Sequence, residues 1–148
     1  MANWLPRTQA PGPQVTVTRT TIPLLPASSA LLDLPGLGRL GHFIAITTDA
    51  PAWVSFYSSA AAREADGSRP ISRDPAPGSG VLLDLVTTST GESIAAPPGG
   101  TYFVSDWPPA NGGGSAPAGE PLLRALVRNT GTSQAAIAVT VTAVVLAP

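Results

Sequence analysis

Alternating apolar and polar residues predict strands near both ends of the chain. From Gln14 to Ile22, Val15 and Val17 alternate with threonines, and β-branched residues in this pattern favour a strand. The run 134–146 alternates in the same way over a longer stretch. One of its faces is predicted to lie in the core and carries Ile137, Val139, Val141 and Val145.

Further β-rich runs lie between these two. Asp49 and Pro51 supply turn chemistry after one run, and Asn129 and Gly131 do so after another, so both places predict hairpins. The run Val81–Thr88 is almost continuously apolar, which predicts burial of both its faces. The remaining predicted strands are Gly41–Thr48, Trp53–Ser58, Thr101–Ser105, Leu122–Arg128 and a short one near Ala30–Leu34.

Helix-forming residues are concentrated in one place. Ala60–Ala65 is predicted to form a short helix whose first turn is capped by Ser58 or Ser59. Seven or eight short strands with almost no helix predict an all-β fold, an antiparallel β-sandwich or jelly roll. We expect residues 14–148 to form this single domain and the proline-rich residues 1–13 to form an extended arm.

Low charge narrows the functional classes. Charged residues make up 11% of the chain, against about 25% in ordinary soluble domains. This favours a surface that is largely covered by neighbouring molecules. All eight basic residues are arginines and the net charge is −1, so the chain offers no field that would attract nucleic acid.

Several other sites and signals are not expected. There is no cysteine, and no run of acidic residues has the spacing of a calcium loop, so we predict no metal and no cofactor. The first residues lack a basic region followed by an apolar run, so we expect no secretion signal. The longest apolar stretch, 135–147, is shorter than the ~20 residues that a membrane-spanning helix needs, so no membrane insertion is expected.

Catalytic motifs are equally sparse. His42 is the only histidine, no Gly-x-Ser-x-Gly elbow is present, and a chain without lysine has no phosphate-binding Walker loop. We therefore predict that the protein is not an enzyme. A small hydrolase would have to use His42 with an acid that the sequence does not identify, and a pair of carboxylates brought together by the fold remains an open alternative.

Contacts with partners are predicted in two proline-rich segments, residues 1–13 and the loop 107–119, because ordering such segments costs entropy that an interface can offset. In the loop 107–119, Trp107 stands before two prolines and would be an exposed anchor. The same region suggests a carbohydrate-binding module as the alternative function, with Trp107, Tyr102 and Asp106 contacting a sugar. The candidate partner contacts are Trp4, Leu5, Pro6, Arg7, Trp107, Pro108 and Pro109.

Two blocks of sequence resemble small structural proteins of tailed bacteriophages. The first is WVSFYSSAAAREADGSRP, residues 53–70, followed by DPAPGSGVLLDLVTT, residues 74–88. The second is the end of the chain, with Val-Arg-Asn at 127–129 and Ala-Ile-Ala-Val-Thr-Val-Thr at 136–142. Within the first block, Arg63, Asp66 and Arg69 are expected to lock the loop through charged hydrogen bonds.

This resemblance implies a non-enzymatic virion protein that is assembled in the host cytoplasm. It implies an oligomeric accessory subunit of the tail, baseplate or fibre, or a capsid decoration protein, and the sequence does not separate head from tail. The expected partners are other virion proteins and further copies of the chain, and a host-surface glycan stays open. The resemblance brings no catalytic residues with it.

Overall fold

The computed structural model describes residues 12–89, 93–95, 101–107 and 119–148, which form a β-sandwich of two antiparallel sheets. This confirms the predicted fold class. No helix in the described ranges is long and apolar enough to cross a membrane. The elements are β1 (Gln14–Thr20), β2 (Ser29–Leu34), β3 (Leu40–Thr48), β4 (Ala52–Tyr57), α1 (Ala60–Asp66), β5 (Val81–Thr87), β6 (Ser93–Ala95), β7 (Tyr102–Val104), β8 (Leu123–Asn129) and β9 (Ala138–Ala147).

Each sheet is assembled from strands that are distant in sequence. The five-stranded sheet has the order β1-β9-β3-β6, and β7 pairs with the other end of β3 on the same side as β6. The four-stranded sheet has the order β2-β8-β4-β5. Strands that follow one another in sequence therefore often lie in different sheets. The two sheets face each other across one apolar core.

Aromatic rings fill the centre of this core. The ring of Phe43 lies 5.2 Å from that of Phe56 and 4.8 Å from that of Phe103, so the two sheets meet there. Gly41 permits the close approach, since a Cβ at that position would lie 2.2 Å from the Phe103 ring. The predicted core residues Ile137, Val139 and Val141 are fully buried.

Both predicted hairpins are wrong. β3 and β4 are adjacent in sequence but belong to different sheets, and the same holds for β8 and β9. The residues expected to make tight turns instead bind other segments: Asp49, just after β3, accepts a hydrogen bond from the backbone N–H of Ala138 in the neighbouring strand β9, 2.8 Å away. Asn129 is buried and its amide donates to the carbonyls of Leu24 and Ser133, both at 2.9 Å.

The predicted burial of both faces of Val81–Thr88 is also wrong. β5 is an edge strand, so its outward side chains are covered on one side only and Val86 is exposed. The short helix is confirmed as α1, and of the two proposed caps Ser59 is the one used: its hydroxyl accepts from the N–H of Ala62 at 3.1 Å.

Candidate functional site

The outer face of the four-stranded sheet carries polar and charged side chains and is covered from above. α1 packs on β4 and β8, and the segment 67–80 follows it across the same face. The pairing of the strands places outward side chains side by side. Ser55 of β4 lies beside Asp84 of β5. Arg124 and Arg128 of β8 stand beside Tyr57 and Trp53 of β4. We call this the covered face.

Asp66 connects α1 to the covered face. Its carboxylate accepts two hydrogen bonds from Arg69, at 2.7 and 3.1 Å, and one from the Tyr57 hydroxyl at 2.8 Å. The Arg69 guanidinium also pairs with Asp84 at 3.1 Å. These contacts are the charged hydrogen bonds that the sequence led us to expect of Asp66 and Arg69.

Burial and hydrogen bonding shift the pKa of Asp66 in opposite directions. Burial alone would raise the pKa of Asp66, but hydrogen bonds from Arg69 and Tyr57 outweigh it and lower that pKa below its usual value. The pKa of Tyr57 is raised by burial and by its hydrogen bond to the Asp66 carboxylate. Asp66 is therefore an ionised acceptor, and Tyr57 is a neutral donor.

A stack of planar groups continues the cluster. The guanidinium groups of Arg128 and Arg69 both lie over the ring of Trp53, 3.7 and 4.9 Å from its centroid. The indole N–H of Trp53 and the hydroxyl of Ser55 both donate to Asp84 at 2.6 Å. Trp53 is thus held through its ring and through its N–H.

A second ionic cluster ties the other end of α1 to the sheet. Arg63 pairs with Asp33 at 2.7 Å, and Arg124 joins Asp33 to Asp106 with contacts of 3.0 Å each. Asp106 also accepts from the backbone N–H of Ala60, at the start of α1. Burial raises and the hydrogen bonds from Arg63 and Arg124 lower the pKa of Asp33, and the net effect is downward.

The outer face of the five-stranded sheet is different, because one half of it is apolar and exposed, with no described segment packed over it. Leu40 pairs with Val104 of β7 and with Ala147 of β9, next to Leu146, and His42 pairs with Tyr102. The exposed fractions are 37% for Leu40, 58% for Tyr102, 51% for Val104 and 49% for Leu146. We call these four side chains the outer apolar patch.

The other half of the same face is polar. Hydroxyl groups pair across β1 and β9, with Thr16 bonded to Thr142 at 3.1 Å and Thr18 to Thr140 at 2.8 Å. The paired hydroxyls satisfy each other while remaining accessible to water. The face therefore divides along its strands into a threonine half and an apolar half.

His42 lies beside the outer apolar patch. Its ring stacks on Tyr102 with the centroids 5.1 Å apart, and its Nε2 is buried with no hydrogen-bond partner among the described residues. Within those residues no carboxylate bonds to it and no group of three or more acids, histidines or cysteines is arranged to hold a metal ion. The hydrolase hypothesis thus gains no acid partner for His42 from the described geometry.

Of the predicted partner contacts, Trp107 falls in the described part of the chain. Its indole N–H donates to the carbonyl of Gly119 at 3.2 Å, and the guanidinium of Arg39 lies 5.0 Å from its ring centroid. Trp107 is partly exposed. The other predicted contacts lie outside the described residues: Trp4, Leu5, Pro6, Arg7, Pro108 and Pro109.

The structure separates two of the three residues expected to bind a sugar. Tyr102 stacks on His42 at the outer face of the five-stranded sheet. Asp106 bonds to Arg124 and to the N–H of Ala60, at the outer face of the four-stranded sheet. Tyr102 and Asp106 therefore do not lie on one surface.

Sequence reasoning missed the outer apolar patch. A signal was present in β7, where Tyr102, Phe103 and Val104 are all apolar although only Phe103 reaches the core. A short strand with apolar residues on both faces is covered on both, by its own chain or by another molecule. Leu40 and Leu146 gave no such signal, because they join the patch only through strand pairing, which places β3 between β7 and β9.

Comparison of the chain with protein-family models, curated proteins and solved structures finds no match.

Proposed function

We propose that this chain is a non-enzymatic virion structural protein of a tailed bacteriophage. It would be an oligomeric accessory subunit of the tail, baseplate or fibre region, or a capsid decoration protein. The observation that carries the proposal is the outer apolar patch, a group of large exposed apolar side chains on one sheet face. Contiguous patches of this kind mark interaction surfaces on proteins.

Energetics favour coverage of the patch by another protein surface. Removing apolar area from water contributes roughly 25 cal/mol per Å². The backbone beneath the patch is already paired between β3, β7 and β9, so a partner can cover these side chains without rearranging the strands. A rigid apolar face suits repeated assembly of identical subunits.

The covered face supports the same proposal from the opposite side of the sandwich. Its acids are paired with Arg63, Arg69 and Arg124, and these pairs fix α1 and the segment 67–80 to the sheet. Pairing of this kind specifies a geometry and provides no free nucleophile or base. We therefore assign the phage-like block a structural role in holding the sandwich rigid.

Immunogold electron microscopy of particles from the source culture tests the proposal. Antibody raised against the full chain should label particles, and label at the tail end would identify a tail, baseplate or fibre subunit. Label over the head would identify a capsid decoration protein. Particles that carry no label, alongside a positive blot of the host lysate, would overturn the virion assignment.

Glycan binding is the second candidate, and the exposure of Tyr102 favours it. The ring of Tyr102 stacks on that of His42, which fixes its orientation, and the side chain is exposed. An exposed aromatic ring in a fixed orientation can stack against a sugar. A glycan array should then give a signal that Tyr102→Ala abolishes and that Trp107→Ala leaves unchanged. An array without signal would remove this candidate.

A further inference from the structure

A groove of about 500 Å³ opens beside Trp53 at one end of the covered face. One wall is the turn before β2, the floor is the end of β8, and the other wall is the start of the segment 67–80. We call it the Trp53 groove. Its described lining includes Pro26, Ser29, Trp53, Ser68, Arg69, Pro70, Ile71 and Arg128.

The charge of this lining is unbalanced. Arg69 and Arg128 both line the groove, and no carboxylate is among its described lining residues. Arg69 is already neutralised by Asp66 and Asp84. Arg128 forms no direct ion pair with a carboxylate in the described part of the chain, and its charge acts on the Asp66 carboxylate only from a distance.

The hydrogen bonds of Arg128 leave much of its donor capacity unused. One terminal nitrogen donates to the Ser55 hydroxyl at 3.2 Å, and the other reaches the carbonyl of Asp66 only at 3.5 Å. A guanidinium has five N–H donors in a planar fork that matches a carboxylate. Stacking on Trp53 holds this fork in one plane and so reduces the entropy lost when it binds an anion.

Apolar and hydroxyl groups surround that cation. Ile71 on the loop wall is 56% exposed, and Pro26 and Pro70 add apolar surface. The hydroxyls of Ser29 and Ser68 also line the groove. This combination fits an acidic side chain that is flanked in its own chain by apolar residues.

We propose that the Trp53 groove binds an acidic peptide segment of a partner protein. A glutamate or aspartate of that segment would pair with Arg128, and a neighbouring apolar side chain would contact Ile71. The groove belongs to the four-stranded sheet, so this proposal is independent of the outer apolar patch and of a virion role.

The full chain titrated with two peptides tests this proposal. The peptide acetyl-Leu-Glu-Leu-amide should shift the NMR signals of the Trp53 indole and the Ile71 methyl groups. Its counterpart acetyl-Leu-Gln-Leu-amide should bind about tenfold more weakly, because a charge-assisted hydrogen bond is replaced by a neutral one. Binding of the glutamate peptide should weaken as salt is added.

Three variants locate the binding. Arg128→Gln should lose about tenfold in affinity, and Arg19→Gln, which removes an exposed charge on the other sheet, should not change it. Ile71→Ser should weaken binding several-fold without disturbing the Trp53 stack, so it tests the groove even where Arg128→Gln unfolds the chain. Equal affinity for both peptides would overturn the proposal, and so would shifts confined to other residues. Binding of glucuronate without binding of the glutamate peptide would also overturn the proposal, because the ligand of the groove would then be an acidic sugar and not a peptide.

Discussion

Asp66 is the residue that joins most parts of the covered face. It belongs to α1, and its carboxylate accepts hydrogen bonds from Tyr57 of β4 and from Arg69 of the segment that follows the helix. It is 8% exposed, so water cannot replace a lost partner. A buried ion pair of this kind adds little over a well-packed apolar substitute, but removing one member leaves an uncompensated charge.

Asp66→Asn should therefore destabilise the protein strongly. The substitution keeps the side-chain size and removes one of the two carboxylates that balance Arg69, while Asp84 remains. The weakened hydrogen bonds from Arg69 and Tyr57 should cost about 1.5–3 kcal/mol, the range for hydrogen bonds to a charged group. The free energy of unfolding in urea measures this loss. Asp74→Asn, at an exposed acid in the segment 67–80, is the matched control and should change the free energy of unfolding by less than about 0.5 kcal/mol. Equal effects of the two substitutions would contradict the structural role of Asp66.

Asp66 and Asp33 should also determine the acid stability of the protein. The pKa of each is lower in the folded chain than the value of about 3.9 expected on unfolding. The unfolded chain therefore binds more protons, and the stability present above that value falls as the pH drops through the folded pKa values. Urea unfolding from neutral pH to below pH 3 should show this loss. Asp66→Asn should flatten the curve, and a curve parallel to that of the unsubstituted protein would refute the assignment.

At the scale of elements, α1 and the segment 67–80 act as one cover over the four-stranded sheet. The helix is only seven residues long, so it depends on its neighbours for stability. Gly80 closes the cover: its carbonyl accepts from the N–H of Ser58 at 2.9 Å, and its φ is +83°. A Cβ there would lie 2.6 Å from the Cβ of Ala62.

Two glycine substitutions separate backbone strain from this contact. Gly78 has a φ of +73° and nothing within 4 Å of an added Cβ, so Gly78→Ala should cost about 1 kcal/mol from conformation alone. Gly80→Ala adds the collision with Ala62 and should cost at least about 2 kcal/mol. Thermal unfolding of the two variants measures the difference. Indistinguishable melting temperatures would show that the segment does not pack tightly on α1.

The pattern of the sequence predicts the elements far better than their pairing. Period-two alternation locates β1 and β9, and the alanine-rich run locates α1, because these signals depend on local geometry. Pairing depends on which apolar faces meet. The residues between β8 and β9 looked like a hairpin, but the buried amide of Asn129 binds Leu24, which is 105 positions away.

The candidate site was predictable to a similar degree. Asp66 and Arg69 could be connected because they are three positions apart. Arg63, expected in the same lock, instead pairs with Asp33, 30 positions away. The outer apolar patch could not be predicted, since Leu40, Val104 and Leu146 are far apart in the chain and meet only through the order of the five-stranded sheet. Local sequence signals can predict an ion pair between residues that are close in the chain. They cannot predict a surface to which three separate strands contribute.

At the scale of the whole molecule, the two outer faces of the sandwich have opposite characters. The four-stranded sheet is covered by α1 and the segment 67–80, and its acids are paired with arginines beneath them. The five-stranded sheet has threonines on one half and exposed apolar side chains on the other. With one face closed by its own chain, the proposed assembly contacts fall on the other.

Substitutions in the outer apolar patch should therefore disrupt self-association. Val104→Thr combined with Leu146→Thr keeps residues that suit strands and removes two apolar contacts, each contributing about 1.5–3 kcal/mol when fully buried at an interface. Sedimentation velocity over a concentration series should show association of the unsubstituted chain and a shift of the double variant to monomer. Ile22→Thr, at a position 70% exposed outside the patch, controls for lost apolar surface and should associate normally. If Ile22→Thr weakened association as much as the double variant, the contact would not be specific to the patch, and a monomeric unsubstituted chain would show that the patch does not join copies.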